Sequence, residues 1–210
     1  MFGHLSGQEI VYLLIALLVG MVIHELMHGV AARALGDTTA ADMGRLTLNP
    51  LKHIDVVMTI LLPMVLIIAG VPPIMAAKPV PFNPERVKWG DYGAALVGLA
   101  GPATNFVLAL LMSFWIHLTN YPLSLNSFPF YFIEVNAILM VFNLIPFPPL
   151  DGSRVLYAFA PDSIRGIMRR IEAANFIYIL VILLIIINIP GVGNALATLE
   201  TDVINFILSI

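Results

Sequence analysis

The chain has 210 residues, of which 60% are hydrophobic and 11% charged, with a mean hydropathy of +0.95 and a formal net charge of -3. That balance excludes an ordinary soluble globular domain, and so small a charge gives no reason to expect a nucleic-acid partner. There is no cysteine, so disulfides and thiolate ligands are excluded and a transition-metal site has to be built from His, Asp and Glu.

The first element is a helix expected from about Gly7 to Leu35. Ser6 and Glu9 form an S-x-x-E capping box ahead of it, and Gly36-Asp37 supplies a stop. At about 1.5 Å per residue it reaches roughly 43 Å, enough to cross a hydrocarbon core of about 30 Å. The opening residues carry no Lys or Arg and the apolar run shows no small-residue cleavage pattern, so no cleavable signal peptide is expected. Residues 38–49 include the alternation Arg45-Leu46-Thr47-Leu48, which suggests a short β-hairpin whose edge could take up an unwound substrate strand. Further apolar runs follow at residues 54–76, 91–118, 130–146, 173–189 and 195–210.

The ten basic residues decide which runs cross, because short cytoplasmic loops collect Lys and Arg. Arg33, Arg45, Lys52, Lys78, Arg86 and Lys88 flank residues 54–76, while Arg154, Arg165, Arg169 and Arg170 lie between the fourth and fifth apolar runs, 130–146 and 173–189. If residues 54–76 dip in and return, all ten share one side. If they cross, seven fall on one side and three on the other. Pro63, Pro72 and Pro73 also interrupt that run, as expected of a bent segment shielded by protein. The expected fold is therefore an all-α polytopic membrane protein. It has about five transmembrane helices plus one re-entrant segment, with the N-terminus outside and the C-terminus inside. A single domain, residues 1–210, would hold a catalytic core at about 7–160 and two C-terminal helices at about 173–210.

Polar groups within such apolar runs are costly and mark function. In His24-Glu25-x-x-His28 the two histidines share a helix face and can ligate one ion, while Glu25 can act as general base on a water. The alternative is a pair of packed histidines at a helix end, a costly arrangement in a membrane helix without a ligand. Catalytic zinc normally takes three protein ligands, and Asp151, just beyond the proline-rich end of the fourth apolar run, is the outstanding third. It could equally be the N-cap of a short helix starting at Gly152; the return of the chain to the histidine side favours the ligand. Asn105 and Asn143 could donate to an oxyanion or a substrate backbone, or tie helices together. Gly98 and Gly101, with Ala94 and Ala95, form a small-residue packing face. His53 reads as an outer-shell group or a solvated interfacial residue, and Arg165, Arg169 and Arg170 as a headgroup-facing patch. His4 and His117 carry no chemistry here.

The strings "HELMHG", "GRLTLNP", "AKPVPFNP", "GPATN" and "NLIPFPPLDG", in this order, resemble the site-2 protease family of intramembrane zinc metalloproteases, in its compact prokaryotic branch without a PDZ domain. The resemblance implies one zinc ion per chain held by His24, His28 and Asp151, with Glu25 activating water. It implies that Asn143 positions substrate or the oxyanion, and less specifically that Asn105 does. It further implies single-span or other membrane-protein substrates, a multi-pass location in the cell membrane, and an active site towards the cytoplasm. The chain departs from some relatives by starting directly with the catalytic helix and by carrying the run at 54–76, which bears on how substrate enters. The rivals from other classes are a membrane metal-ion transporter and a catalytically silent scaffold.

Overall fold

A computed structural model describes residues 6–55, 59, 77–174 and 176–210. Helix α1, Gly7–Ala34, starts at the expected capping box: Ser6 N–H donates to Glu9 Oε2 at 2.6 Å and Glu9 N–H to Ser6 Oγ at 3.3 Å. It ends where Gly36 takes a φ of 104°, open to glycine alone at no cost, so that Gly36 N–H reaches Arg33 O and Asp37 N–H reaches Ala32 O. Residues 38–49 form no strand. Thr39–Asp42 is a short helix, α2, because Asp37 Oδ1 accepts from the Thr39 amide at 3.0 Å, and Arg45 reaches away to Lys78 O and Pro79 O. These local and long-range side-chain bonds to the backbone override the alternation. Asn49 then caps a single 3-10 turn at Pro50–Lys52.

The re-entrant segment expected at 54–76 lies outside the described residues, save its edges. Its flanks meet: Lys78 N–H donates to His53 O at 2.8 Å. Residues 77–80, without regular structure, lead towards α3, Asp91–Thr119, and Lys88 N–H donates to Leu35 O at 2.8 Å. The start of α3 thus lies against the end of α1, and the two helices run antiparallel. Helix α4, Phe128–Asn143, returns alongside α1: Tyr131 donates its hydroxyl to Glu9 Oε1 at 3.2 Å, and the Phe128 and Tyr12 rings lie 5.7 Å apart. Ala16, Phe132 and Val135 bury where these three helices meet, with Leu13, Leu108 and Met112 around them. The outer faces of α1 and α3 leave Leu14, Leu18, Leu111 and Phe114 exposed, as lipid-facing surfaces do. Both helices are long and apolar enough to span a membrane.

Helix α4 stops at Asn143 rather than 146, because Pro146, Pro148 and Pro149 cannot continue a helix and residues 144–151 fold into turns. Helices α5, Gly152–Phe159, and α6, Asp162–Glu172, follow on the histidine side. Arg165 is no headgroup-facing residue: it donates to Asp91 Oδ2 at 3.0 Å and to Ala158 O and Ala160 O, clamping α6 to the start of α3. Arg169 and Arg170 are exposed. The last two helices are α7, Phe176–Ile187, and α8, Pro190–Leu208, broken ahead of Pro190. With 12 residues, α7 reaches only about 18 Å, short of the core thickness. Ile207 packs with Ala109, Ile116 and Ile133 and accepts from Ser113 Oγ at 2.7 Å. The end of α8 therefore lies in the half of the bundle that holds Glu9, and a C-terminus on the histidine side does not fit.

Candidate metal centre

The spacing of four on α1 places His24 and His28 one above the other, and both are buried, at 6% and 8% exposure. Their Nε2 atoms are 3.1 Å apart. Asp151 Oδ2 lies 3.1 Å from His24 Nε2 and 3.3 Å from His28 Nε2. Asp151 does stand at the N-cap of α5, but its side chain makes no capping bond and turns to the histidines instead. The turn that aims it depends on Gly152, where a Cβ would strike Leu144 O. Helix α3 packs beneath. A Cβ on Gly101 would sit 2.5 Å from His24 Nε2 and His28 Nε2, and one on Gly98 would be 3.1 Å from Asp151 O. The small-residue face read as packing thus also makes room for the centre.

The chemistry of these donors fits a metal ion. His28 Nδ1 faces Val97 O at 2.7 Å, and a carbonyl can only accept, so the proton sits on Nδ1 and Nε2 offers a lone pair. His24 Nδ1 faces Asn105 Oδ1 at 2.5 Å, with the same result. Two imidazole lone pairs and a carboxylate oxygen with no hydrogen-bond donor therefore converge, buried, on one point. Without a cation they would repel one another. Tetrahedral zinc with ligands at about 2.0–2.1 Å places neighbouring donor atoms about 3.3–3.4 Å apart, close to the observed triangle. The Asp151 side chain keeps 21% of its surface exposed.

Glu25, between the two histidines, is half-buried, and its Oε2 accepts from Val80 N–H at 2.8 Å. The segment around Val80 is held on both sides. Arg45 bonds Lys78 O and Pro79 O, and Asn83 N–H donates to Asp37 Oδ2 at 2.6 Å. Sequence reasoning missed Val80; the proline-spaced string around it was the available signal. Asn105 is fully buried, with both hydrogens of its amide committed to Gly20 O and Asn136 Oδ1 and its oxygen facing His24 Nδ1, so it has no N–H to offer an oxyanion. One hydrogen of the Asn143 amide returns to Leu139 O at 3.0 Å. His53 is buried rather than solvated, at 2% exposure, with Nε2 against Thr47 O.

Comparison with known proteins agrees with this geometry. The family model described as peptidase family M50 matches residues 120–187, a stretch containing Asn143 and Asp151 but not the histidine pair. Over a longer span the chain is 37% identical across 180 residues to YwhC of Bacillus subtilis, described as a candidate zinc metalloprotease, covering 81% of this chain and 79% of that protein. The chain belongs to peptidase family M50, the site-2 protease family. This M50 chain is also 31% identical to Rip2 of Mycolicibacterium smegmatis and 30% identical to Rip2 of Mycobacterium tuberculosis, both described in the same terms as YwhC. The matches cover 80% and 84% of the M50 chain but 64% and 66% of those relatives. No solved structure matches it. As a family member it is a zinc-dependent metallopeptidase associated with membranes, which favours that reading over a transporter or a silent scaffold.

Proposed function

We propose that this protein is an intramembrane endopeptidase that hydrolyses peptide bonds in or beside the transmembrane segments of other membrane proteins. The observation that carries the reading is the convergence of His24, His28 and Asp151 beside Glu25 within an apolar helix of spanning length. One zinc ion per chain would be held by those three side chains. Bound there, zinc supplies Lewis acidity, bringing the pKa of a water down towards about 7 and polarising a peptide carbonyl.

The remaining steps belong to the chain. Glu25 takes the proton as the water oxygen bonds to the carbonyl carbon, and returns it to the amine nitrogen as the C–N bond breaks. Val80 N–H holds one oxygen of that carboxylate, which leaves the other for the proton. Asn143 has a second amide hydrogen with which to orient a substrate carbonyl. The substrate segment must be unwound to offer that carbonyl, since a helix hides it in backbone bonds.

In the membrane, α1 runs inwards, α3 outwards and α4 inwards, with the N-terminus outside and residues 1–210 forming one embedded domain whose core is 7–160. Lys78 bonds to His53 and Lys88 to Leu35, so the described residues on either side of the 54–76 run lie at the histidine end. The basic residues of the described chain lie at the histidine end, which supports a cytoplasmic active site. The test is cleavage of a single-span substrate by purified protein in detergent, comparing wild type with Glu25→Gln while measuring bound zinc. The expected result is loss of cleavage in the variant with zinc retained. Zinc binding without cleavage by wild type, over several substrates, would overturn the reading.

A further inference from the structure

We propose that Asn136 is a positioning residue of the metal centre, acting through Asn105 to hold His24 with its Nε2 lone pair facing His28 and Asp151. The inference rests on the metal reading above and adds to it a residue on a third helix. Asn136 lies on α4 with no exposed surface. Its Nδ2 donates to Phe132 O at 2.8 Å, and because a carbonyl only accepts, the orientation of the amide is set: Oδ1 points the other way. Asn136 Oδ1 accepts from Asn105 Nδ2 at 2.8 Å, whose second hydrogen goes to Gly20 O at 3.3 Å. Both Asn105 donors are then used, so Asn105 Oδ1 is left to face His24 Nδ1.

The chain of bonds has a direction. It begins at one backbone acceptor on α4, crosses α3, and ends as a proton on His24 Nδ1. Turning Asn136 over would set oxygen against the Phe132 carbonyl and NH2 against the Asn105 NH2, and relieving the second clash by turning Asn105 would set its oxygen against Gly20 O and its NH2 against His24 Nδ1–H. In an apolar interior no water is at hand to repair such a mismatch, so the set holds or fails together. Gly20 makes the space: a Cβ there would come within 3.0 Å of Asn136 Oδ1 and 3.5 Å of Asn105 Nδ2. His28, by contrast, is oriented by the Val97 backbone, which no side-chain substitution removes directly. Of the two imidazoles, His24 is therefore the one held by side chains. Outer partners of this kind fix the tautomer and orientation of a ligating histidine.

The alternative role for Asn136 is a tie between α3 and α4 and nothing more. The test uses the full chain in detergent, stripped of metal, with three readouts: the Zn²⁺ dissociation constant by competition with a chelating dye, the visible spectrum of the Co²⁺-loaded protein, and the unfolding temperature without metal. Asn136→Leu is expected to weaken Zn²⁺ binding about 10- to 100-fold and to change the Co²⁺ spectrum. Asn136→Asp, which buried and protonated donates its O–H to Phe132 O and keeps an oxygen for Asn105, is expected to stay within a few-fold of wild type. Wild-type affinity and spectrum in Asn136→Leu, whatever its unfolding temperature, would overturn the proposal and leave the helix tie. Should Asn136→Leu not fold, Asn136→Ser, too short to reach Asn105, carries the same expectation and the same refutation. Failure of wild type itself to bind either ion would overturn the metal reading as well, so the two failures are distinguishable.

Discussion

Gly101→Ala sets helix stability against site geometry. In the interior of a helix, alanine in place of glycine is worth about 0.5–1 kcal/mol in favour of folding. At this position the added methyl would lie 2.5 Å from His24 Cε1, His24 Nε2 and His28 Nε2, where ordinary contact begins at 3.4 Å. The imidazole pair or α3 must therefore give way by about 1 Å, and overpacking of that kind costs about 1–3 kcal/mol. If the ligand set bears the strain, zinc binding weakens about 5- to 150-fold, and a displacement of about 1 Å at the reacting groups lowers cleavage about 100-fold. The assay pairs zinc affinity by chelator competition and cleavage of a single-span substrate with the unfolding temperature of metal-free protein. The expected pattern is lost affinity and activity with unchanged or raised stability. Gly98→Ala is the control, since its methyl would meet Arg154 Cβ at 3.0 Å and Asp151 O at 3.1 Å and asks for only a few tenths of an ångström. Wild-type zinc affinity and cleavage in Gly101→Ala would refute the inference that α3 presses on the ligands.

Asp151→Asn keeps the shape of the third ligand and removes its charge. Zinc affinity should fall by more than the about 10- to 100-fold that loss of an outer partner costs, as read by metal content after dialysis. Burial alone would raise the pKa of Asp37, but hydrogen bonds from Thr39 and Asn83, with Arg86 nearby, hold it below the usual carboxylate range. A depressed folded-state pKa means stability present above the unfolded value of about 3.9 and lost as pH falls through the folded one. Asp37→Asn should therefore lower stability by about 2 kcal/mol at neutral pH, and the gap from wild type should close in thermal melts taken below about pH 4. Arg165→Ala removes one bond from α6 to the start of α3 and two to the end of α5, and limited proteolysis should cut near residues 160–165 faster than in wild type with zinc affinity unchanged.

What was legible in the sequence follows from the range of the interactions involved. The capping box, the helix stop at Gly36 and the shared face of His24 and His28 depend on residues within a turn of one another, and each is found where the spacing put it. Asp151 was legible only in combination, because its local grammar suited an N-cap equally well; the return of the chain to the histidine side supplied the rest. The hairpin failed because the alternation at 45–48 competes with partners more than thirty residues away, which take the Arg45 side chain for the backbone of residues 78 and 79. Asn105 shows the limit most clearly. A buried amide in an apolar span has to satisfy its donors and acceptor, and which role it then plays depends on what stands opposite each atom. Here a carbonyl on α1, an amide on α4 and an imidazole complete the set. The tie between helices and the orientation of a ligand, two roles that compete in the sequence, turn out to be the same three bonds. A centre assembled across helices in this way should lose metal affinity and helix packing together when its outer amides are changed, whereas Glu25, which lies outside that set of bonds, can be changed without either loss.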